Sequence, residues 1–141
     1  MNDIIQLSDA IEKLAYSLQK EEKEYISKTE LAHLSAVQLH YIDMIYHAEN
    51  PSLSECAQIL AVSKPSVTIT VDKLVELGLV EKIKSDEDRR SSHLHLTVAG
   101  KKIAKIHDEF HHQYTYKMFG NLTGSDLRTL LSILKKIFPE K

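Results

Sequence analysis

Hydrophobic residues recur at alternating steps of three and four near the start of the chain, which predicts a long helix over residues 3–28. The apolar stripe is narrow, as in helices that pair with another helix. At the beginning of a compact protein such a stripe suits the arm of a dimer, although packing within one chain would also bury it. The stripe consists of Ile4, Leu7, Ile11, Leu14, Leu18 and Tyr25.

The same spacing predicts three more helices outside the middle of the chain. Ser35 and Gln38 resemble a capping box, in which two side chains satisfy free backbone amides, and they start the second helix. Thr123 and Asp126 resemble another capping box and start the last helix, which is amphipathic. A long helix is predicted before it, from residue 97 or 98 to about residue 119.

The middle of the chain, residues 53–100, begins with two short helices. Ser54 can cap the first, and Ser63 is a favourable cap for the second. Pro65 lies in the first turn of the second helix, where its missing N–H costs little. Gly78 ends that helix, because glycine adopts the left-handed conformation of a C-terminal cap.

Two strand-like runs follow, Val80–Lys84 and Ser92–Leu96, with a charged tip between them. Two helices and a hairpin with arginines at its tip form the outline of a winged helix-turn-helix. The sequence therefore predicts a mainly α-helical fold with a small β-hairpin wing. Residues 35–100 are expected to be the winged helix-turn-helix DNA-binding domain, and residues 1–34 and 101–141 a helical dimerisation region.

Charge is distributed unevenly along the 141 residues, whose net charge is −2. Residues 63–105 carry nine basic and six acidic side chains, a net +3, so the rest of the chain carries −5. A basic middle with acidic flanks fits one DNA-facing region. The single cysteine, Cys56, rules out an internal disulfide framework, and the sequence shows neither a membrane-length apolar run nor a signal-peptide pattern. A cytoplasmic protein that does not contact membranes is expected.

The order of these elements resembles that of the MarR family of bacterial transcriptional regulators. The resemblance implies a homodimer, joined by its terminal helices, that binds a pseudo-palindromic operator in double-stranded DNA. It is carried by Val67-Thr68, Val71-Asp72-Lys73-Leu74, Leu77-Gly78-Leu79-Val80, Asp88-Arg89-Arg90 and Leu96-Thr97-Val98-Ala99-Gly100.

Candidate DNA contacts lie on the outward face of the second module helix and on the wing. Family members often carry a basic side chain where Ile69 stands. Ile69 lies opposite the buried stripe and can contact a thymine methyl group, although a stray exposed apolar residue is the alternative. Arginines at the wing tip suit a narrow minor groove, unless the acids of the tip pair with them. The predicted DNA-binding residues are Lys64, Pro65, Ser66, Thr68, Ile69, Lys73, Arg89 and Arg90.

Eight histidines are present, and two of them, His107 and His111, are four apart on the predicted long helix. This spacing places both imidazoles on one helix face, where they can bind a metal such as zinc. Two further ligands are then needed, and His40 and a carboxylate at the end of the first helix are candidates. The two histidines also border the apolar stripe of their helix, so packing alone could explain them.

A narrower resemblance, to the AdcR/ZitR-type zinc-dependent repressors of zinc uptake, assigns the complete set. It implies a zinc site formed by Glu22, His40, His107 and His111. A second zinc site of that branch is expected to be absent, because Lys28, Leu39 and Ile106 occupy its positions. Zinc would then be a co-repressor that controls metal-uptake genes, one ion per subunit.

Two other functions compete with this hypothesis. A MarR-like repressor can instead be released by a small aromatic or amphipathic ligand in the cleft between the arms and the winged lobe, which Tyr16, Tyr25, Tyr41 and Tyr46 could line. A zinc hydrolase is the other alternative. Four protein ligands leave no position for a catalytic water, and no HExxH sequence is present, so we predict that the protein is not an enzyme.

Overall fold

The computed structural model describes residues 1–87 and 91–140, which form six α-helices, one 3₁₀ helix and a two-stranded antiparallel hairpin. The predicted mainly helical winged fold is confirmed. No helix in the described part of the chain combines the length and apolar character needed to cross a bilayer. The elements are α1 (Asn2–Ser27), the 3₁₀ helix (Glu30–His33), α2 (Ala36–His47), α3 (Leu53–Leu60), α4 (Lys64–Glu76), β1 (Val80–Lys84), β2 (Ser92–Leu96), α5 (Val98–Phe119) and α6 (Gly124–Ile137).

Short polar residues set most of the helix starts. Both predicted capping boxes form, one at Ser35 before α2 and one at Thr123 before α6. Ser63 caps α4, as its sequence position predicts. The prediction for α3 is wrong by two residues, because Ser52 and not Ser54 accepts the free amide, here from Glu55.

The hairpin is formed by antiparallel pairing of its two strands and is joined at one edge to the segment before α3. Val80 pairs with Leu96 and Lys84 with Ser92 in the antiparallel register. Ser52 adds an isolated bridge to His93 on the outer side of β2. Gly78 connects α4 to β1 with a φ of 73°, which confirms its predicted left-handed conformation.

One hydrophobic core connects the helix-turn-helix and the hairpin to the long helix α5. Side chains of α2, α4, the hairpin and the first half of α5 share it, together with Leu31 and Leu34 before α2. The largest wholly buried side chains are Leu31, Ile42, Ile45, Leu74 and Leu94. The core therefore extends beyond residues 35–100 at both ends, and the predicted domain limits remain a sequence-based division.

The two terminal helices bury no residue within a single chain. The apolar stripe of α1 is exposed over its first half, where Ile11 is 57% accessible. Helix α1 contacts the long helix through ring packing of Tyr25 on Phe110, with centroids 5.2 Å apart, and through a hydrogen bond from the Tyr114 hydroxyl to the Leu14 carbonyl at 3.3 Å. The arms thus present the unpartnered apolar surface that a dimer needs.

Candidate functional site

Helix α4 presents two unlike faces. Val67, Val71 and Leu74 are buried and fix the helix on the core. The opposite face is open, and Ile69 on it is 62% exposed. Ile69 therefore adds little to the core and is free to contact a partner outside the chain.

Polar groups surround Ile69 on the same surface. The Ser63 and Ser66 hydroxyl oxygens lie 2.7 Å apart, and the Thr68 hydroxyl donates to the Lys64 carbonyl at 3.1 Å. Six of the predicted DNA contacts therefore lie on α4, in its N-terminal half and along its open side. They are Lys64, Pro65, Ser66, Thr68, Ile69 and Lys73, of which Thr68 is partly covered and the others are exposed.

The hairpin wing is attached to α4 by an ion pair between Lys82 on β1 and Asp72 on α4. The pair holds the hairpin beside the exposed helix face. Arg89 and Arg90, the predicted minor-groove contacts, lie outside the described residues, as does Asp88.

The candidate metal centre lies between α1 and α5. Ligand atoms of Glu22, His107 and His111 all lie within 4.8 Å of one another. The Glu22 Oε1 atom is 2.6 Å from His107 Nε2, and the His107 and His111 rings meet edge to face with centroids 4.7 Å apart. Three of the four predicted ligands are thereby brought together.

The fourth predicted ligand, His40, is exposed and is not part of this cluster. Asp43, one turn later on α2, contacts the cluster instead, with Oδ2 at 2.5 Å from His107 Nδ1. The sequence analysis missed Asp43. Its position three residues after His40 was the available signal, because residues three apart share a helix face.

His107 lies between two carboxylates and is 4% exposed. The hydrogen bond to Asp43 raises the pKa of His107 to about 9, with Glu22 acting in the same direction and burial opposing both. At neutral pH the ring is therefore an imidazolium that donates Nδ1–H to Asp43 and Nε2–H to Glu22. A cation thus stabilises the two acids in the described fold.

A separate cavity of about 680 Å³ opens between α1 and α5. Tyr16, Tyr25, Phe110 and Tyr114 supply aromatic walls, and Lys117 closes one side through an ion pair with Glu21 at 2.7 Å. Two of the four predicted cleft tyrosines therefore line it. Tyr41 belongs to the core, and Tyr46 lines a smaller pocket of about 330 Å³.

Known proteins with the same arrangement are gene regulators. The family model described as MarR family matches residues 34–92. An uncharacterized HTH-type transcriptional regulator, YpoP of Bacillus subtilis, is 36% identical over 85 residues, which span 60% of this chain and 60% of that protein. The multiple antibiotic resistance protein MarR of Escherichia coli is 27% identical over 98% of this chain and 94% of its own length.

Solved structures extend the similarity to nearly the whole fold. A mutant of E. coli MarR complexed with operator DNA superposes with a TM-score of 0.70 at 27% identity, over 98% of this chain and 97% of that one. Streptococcus pneumoniae FabT in complex with DNA gives a TM-score of 0.85 over 94% and 93% of the two chains, and its 23% identity supports the fold alone. The helix order, the hairpin wing and these matches agree: residues 34–92 of this chain match the MarR family, whose members are transcriptional regulators and not enzymes.

Proposed function

We propose that this protein is a dimeric DNA-binding transcriptional repressor that acts in the cytoplasm on a pseudo-palindromic operator. The observation that carries the proposal is the open face of α4, with an exposed isoleucine among hydroxyls and lysines. The E. coli relative that aligns over 98% of the chain was crystallised with operator DNA. Two copies paired through α1 and α6 would present two such faces to successive turns of one groove.

The residues of the reading surface divide by chemistry. Lys64 and Lys73 supply charge to phosphates, and Ser66 and Thr68 offer hydroxyls to phosphates or base edges. Ile69 is assigned to a thymine methyl group, the apolar feature of the major groove. Arg89 and Arg90 are assigned to the minor groove beside it.

We further propose that zinc is the co-repressor and that Glu22, His107 and His111 bind it. One carboxylate and two imidazoles are ligands that zinc accepts, at bond lengths of about 2 Å, so donor atoms must lie roughly 3.3 Å apart. The donors in the described fold lie within 4.8 Å of one another, so binding would need small movements of the side chains and release of the Nε2 proton that His107 donates to Glu22. The residues present therefore fit the ion.

His40 is proposed as the fourth ligand. Tyr46 in the last turn of α2 and Asn50 just after it share a pocket with Lys101 near the start of α5. Asp43, earlier in α2, contacts His107, later in α5. The two helices therefore run in opposite directions. One turn back from Asp43 is then one turn forward from His107. On this register His40 would lie at the level of His111, which supports its assignment as the fourth ligand.

The site joins the dimer arm to the long helix that follows the wing and, through His40, to α2. Glu22 belongs to α1, and His107 and His111 belong to the helix that follows the wing. Bound zinc supplies a double positive charge that holds these elements at one spacing. If that spacing suits DNA, operator affinity rises with metal, and DNA raises metal affinity by the same factor.

Operator binding by the purified dimer, with zinc and with a chelator, tests both proposals. Tighter binding with zinc is expected in the wild type, a reduced response in His40→Ala and His107→Ala, and an unchanged response in the neighbouring His112→Ala. Equal operator binding with and without zinc contradicts zinc sensing and leaves the DNA-binding proposal standing. Absence of any preference for operator over random DNA contradicts the repressor itself.

The aromatic cavity supports a second candidate effector, a small aromatic or amphipathic molecule. Its walls combine Tyr16, Tyr25 and Phe110 with charged side chains of both signs, which suits a small aromatic or amphipathic molecule. This candidate predicts that the molecule weakens operator binding and that a chelator changes nothing. The same binding experiment therefore separates the two effectors.

A further inference from the structure

We propose that Asp43 is the positioning residue of the metal centre, fixing the His107 ring so that Nε2 faces the ion; this inference rests on the proposed zinc site. The Asp43 Oδ2 atom lies 2.5 Å from His107 Nδ1, and the two side chains are 23% and 6% exposed. Metal-binding histidines commonly donate the second ring N–H to a carboxylate, which sets their tautomer and orientation.

The surroundings of the ring leave one nitrogen for the ion. Nδ1 is committed to Asp43, and Nε2 points toward Glu22 at 2.6 Å, inside the cluster with His111. Phe110 lies nearly parallel to the ring at a centroid distance of 6.4 Å, and His111 meets it edge-on. These rings limit tilting but supply no hydrogen bond that distinguishes Nδ1 from Nε2, so the choice of nitrogen depends on Asp43.

Asp43 also brings α2 into the centre. Its helix carries Ile42 and Ile45 in the core that includes Val67 and Val71 of α4. His107, which Asp43 holds, is therefore connected to α4 through the packing of α2 on α4. Without Asp43, the cluster contacts α1 and α5 but loses its described link to α2.

Zinc affinity of three variants tests this role by competition with a chromophoric chelator. Asp43→Leu removes the acceptor and should weaken zinc binding by about 10- to 100-fold, the usual cost of losing such a partner. Asp43→Asn keeps an acceptor oxygen without the charge and should give an intermediate loss. Asp108→Asn is the matched control, because the Asp108 carboxylate faces another histidine of α2, His47, at 3.9 Å.

A second measurement is independent of zinc. Nitrogen-15 NMR of the metal-free protein should show a protected Nδ1–H of His107 in the wild type and in Asp108→Asn, and its loss in Asp43→Leu. A purely structural role for Asp43 would lower stability without changing which ring nitrogen binds cobalt or zinc. Circular dichroism checks that each variant is folded, and Asp43→Asn decides the matter if Asp43→Leu is not.

The outcomes separate the two proposals. Equal zinc affinity in the wild type and a folded Asp43→Leu overturns the positioning role and leaves the zinc site intact. Failure of the wild type to bind zinc overturns both. A His107 Nδ1–H that persists in Asp43→Leu also overturns the positioning role, whatever the metal affinity.

Discussion

His107 and Asp43 lie 64 positions apart in sequence and are joined by a 2.5 Å contact between Nδ1 and Oδ2. Glu22 approaches the other ring nitrogen from a third helix. One imidazole thus connects the arm, the second helix and the long helix of the fold.

The stability of the metal-free protein should fall as pH rises. His107 has a pKa of about 9 in the fold against 6.5 in an unfolded chain. Its contribution is complete below pH 6.5, where both states are protonated, and is lost as pH rises through about 9. Urea unfolding in the presence of a chelator, at one protein concentration, measures this as a declining free energy of unfolding.

Asp43→Asn is the control for that titration. The hydrogen bond to Asp43 is the largest cause of the raised pKa, so the variant should lose part of the decline across the same pH range. An identical slope in wild type and variant would assign the pH dependence to other groups.

Lys73 and Ile69 should affect DNA binding in different ways. Lys73→Ala removes a phosphate contact, so affinity should fall on operator and random DNA alike, and the salt dependence should decrease by about one ion. Ile69→Ala should reduce the preference for operator. Fluorescence anisotropy over a salt series, with both DNAs, separates the two effects.

Replacement of the contacted thymine by uracil tests the Ile69 assignment directly. Loss of one buried methyl group costs about 0.8 kcal/mol, or about fourfold in affinity. The wild type should show this loss at one operator position, and Ile69→Ala should not. The same loss in both proteins would place the methyl contact elsewhere.

A charge on the arm should separate the dimer. Ile11 is 57% exposed on the apolar stripe of α1, so Ile11→Glu would place a carboxylate within the proposed interface. Sedimentation should show monomers at micromolar concentration and weaker operator binding. Lys13→Glu, which alters an exposed charge two positions away, should remain dimeric; a monomeric wild type would contradict the arm's role.

The thiol of Cys56 should be unreactive in the folded protein. Cys56 is fully buried, and this burial raises its pKa to about 11 from 9.0. Thiolate is the reactive form, so disulfide-exchange reagents should label Cys56 only as fast as the protein opens. Labelling at the rate of a free cysteine at neutral pH would contradict this prediction.

Gly100→Ala should destabilise the fold by about 1–3 kcal/mol, the usual cost of overpacking. A Cβ at Gly100 would collide with the Leu79 carbonyl oxygen, which accepts a hydrogen bond from the Thr97 amide at 3.1 Å. Gly124→Ala is the control, because its Cβ meets only the movable end of Arg128 at 3.2 Å. Thermal unfolding compares the two variants, and equal stability would contradict the close approach.

Features encoded within a few residues could be predicted from the sequence. The capping boxes at Ser35 and Thr123 and the left-handed Gly78 depend on neighbours in the chain, and all three form. Ser52 and Ser54 can both cap a helix, but Ser52 has a glutamate, Glu55, three residues later, and in the fold it also bridges to His93 in β2.

The candidate metal centre depended on tertiary packing and was predicted in part. Spacing paired His107 with His111, and family resemblance added Glu22, which the fold brings beside them. The choice between His40 and Asp43 depends on the rotation of α2 against α5, which no local pattern determines. The effector and the wing contacts remain predictions.

The long first helix has 26 residues, and none of them is buried in a single chain. Helices without tertiary support are marginal in water, and poorly packed segments are the preferred sites of proteolytic cleavage. We therefore expect the first helix of a monomer to fray and to be open to proteolytic cleavage. We expect pairing of two chains to protect this end from proteases.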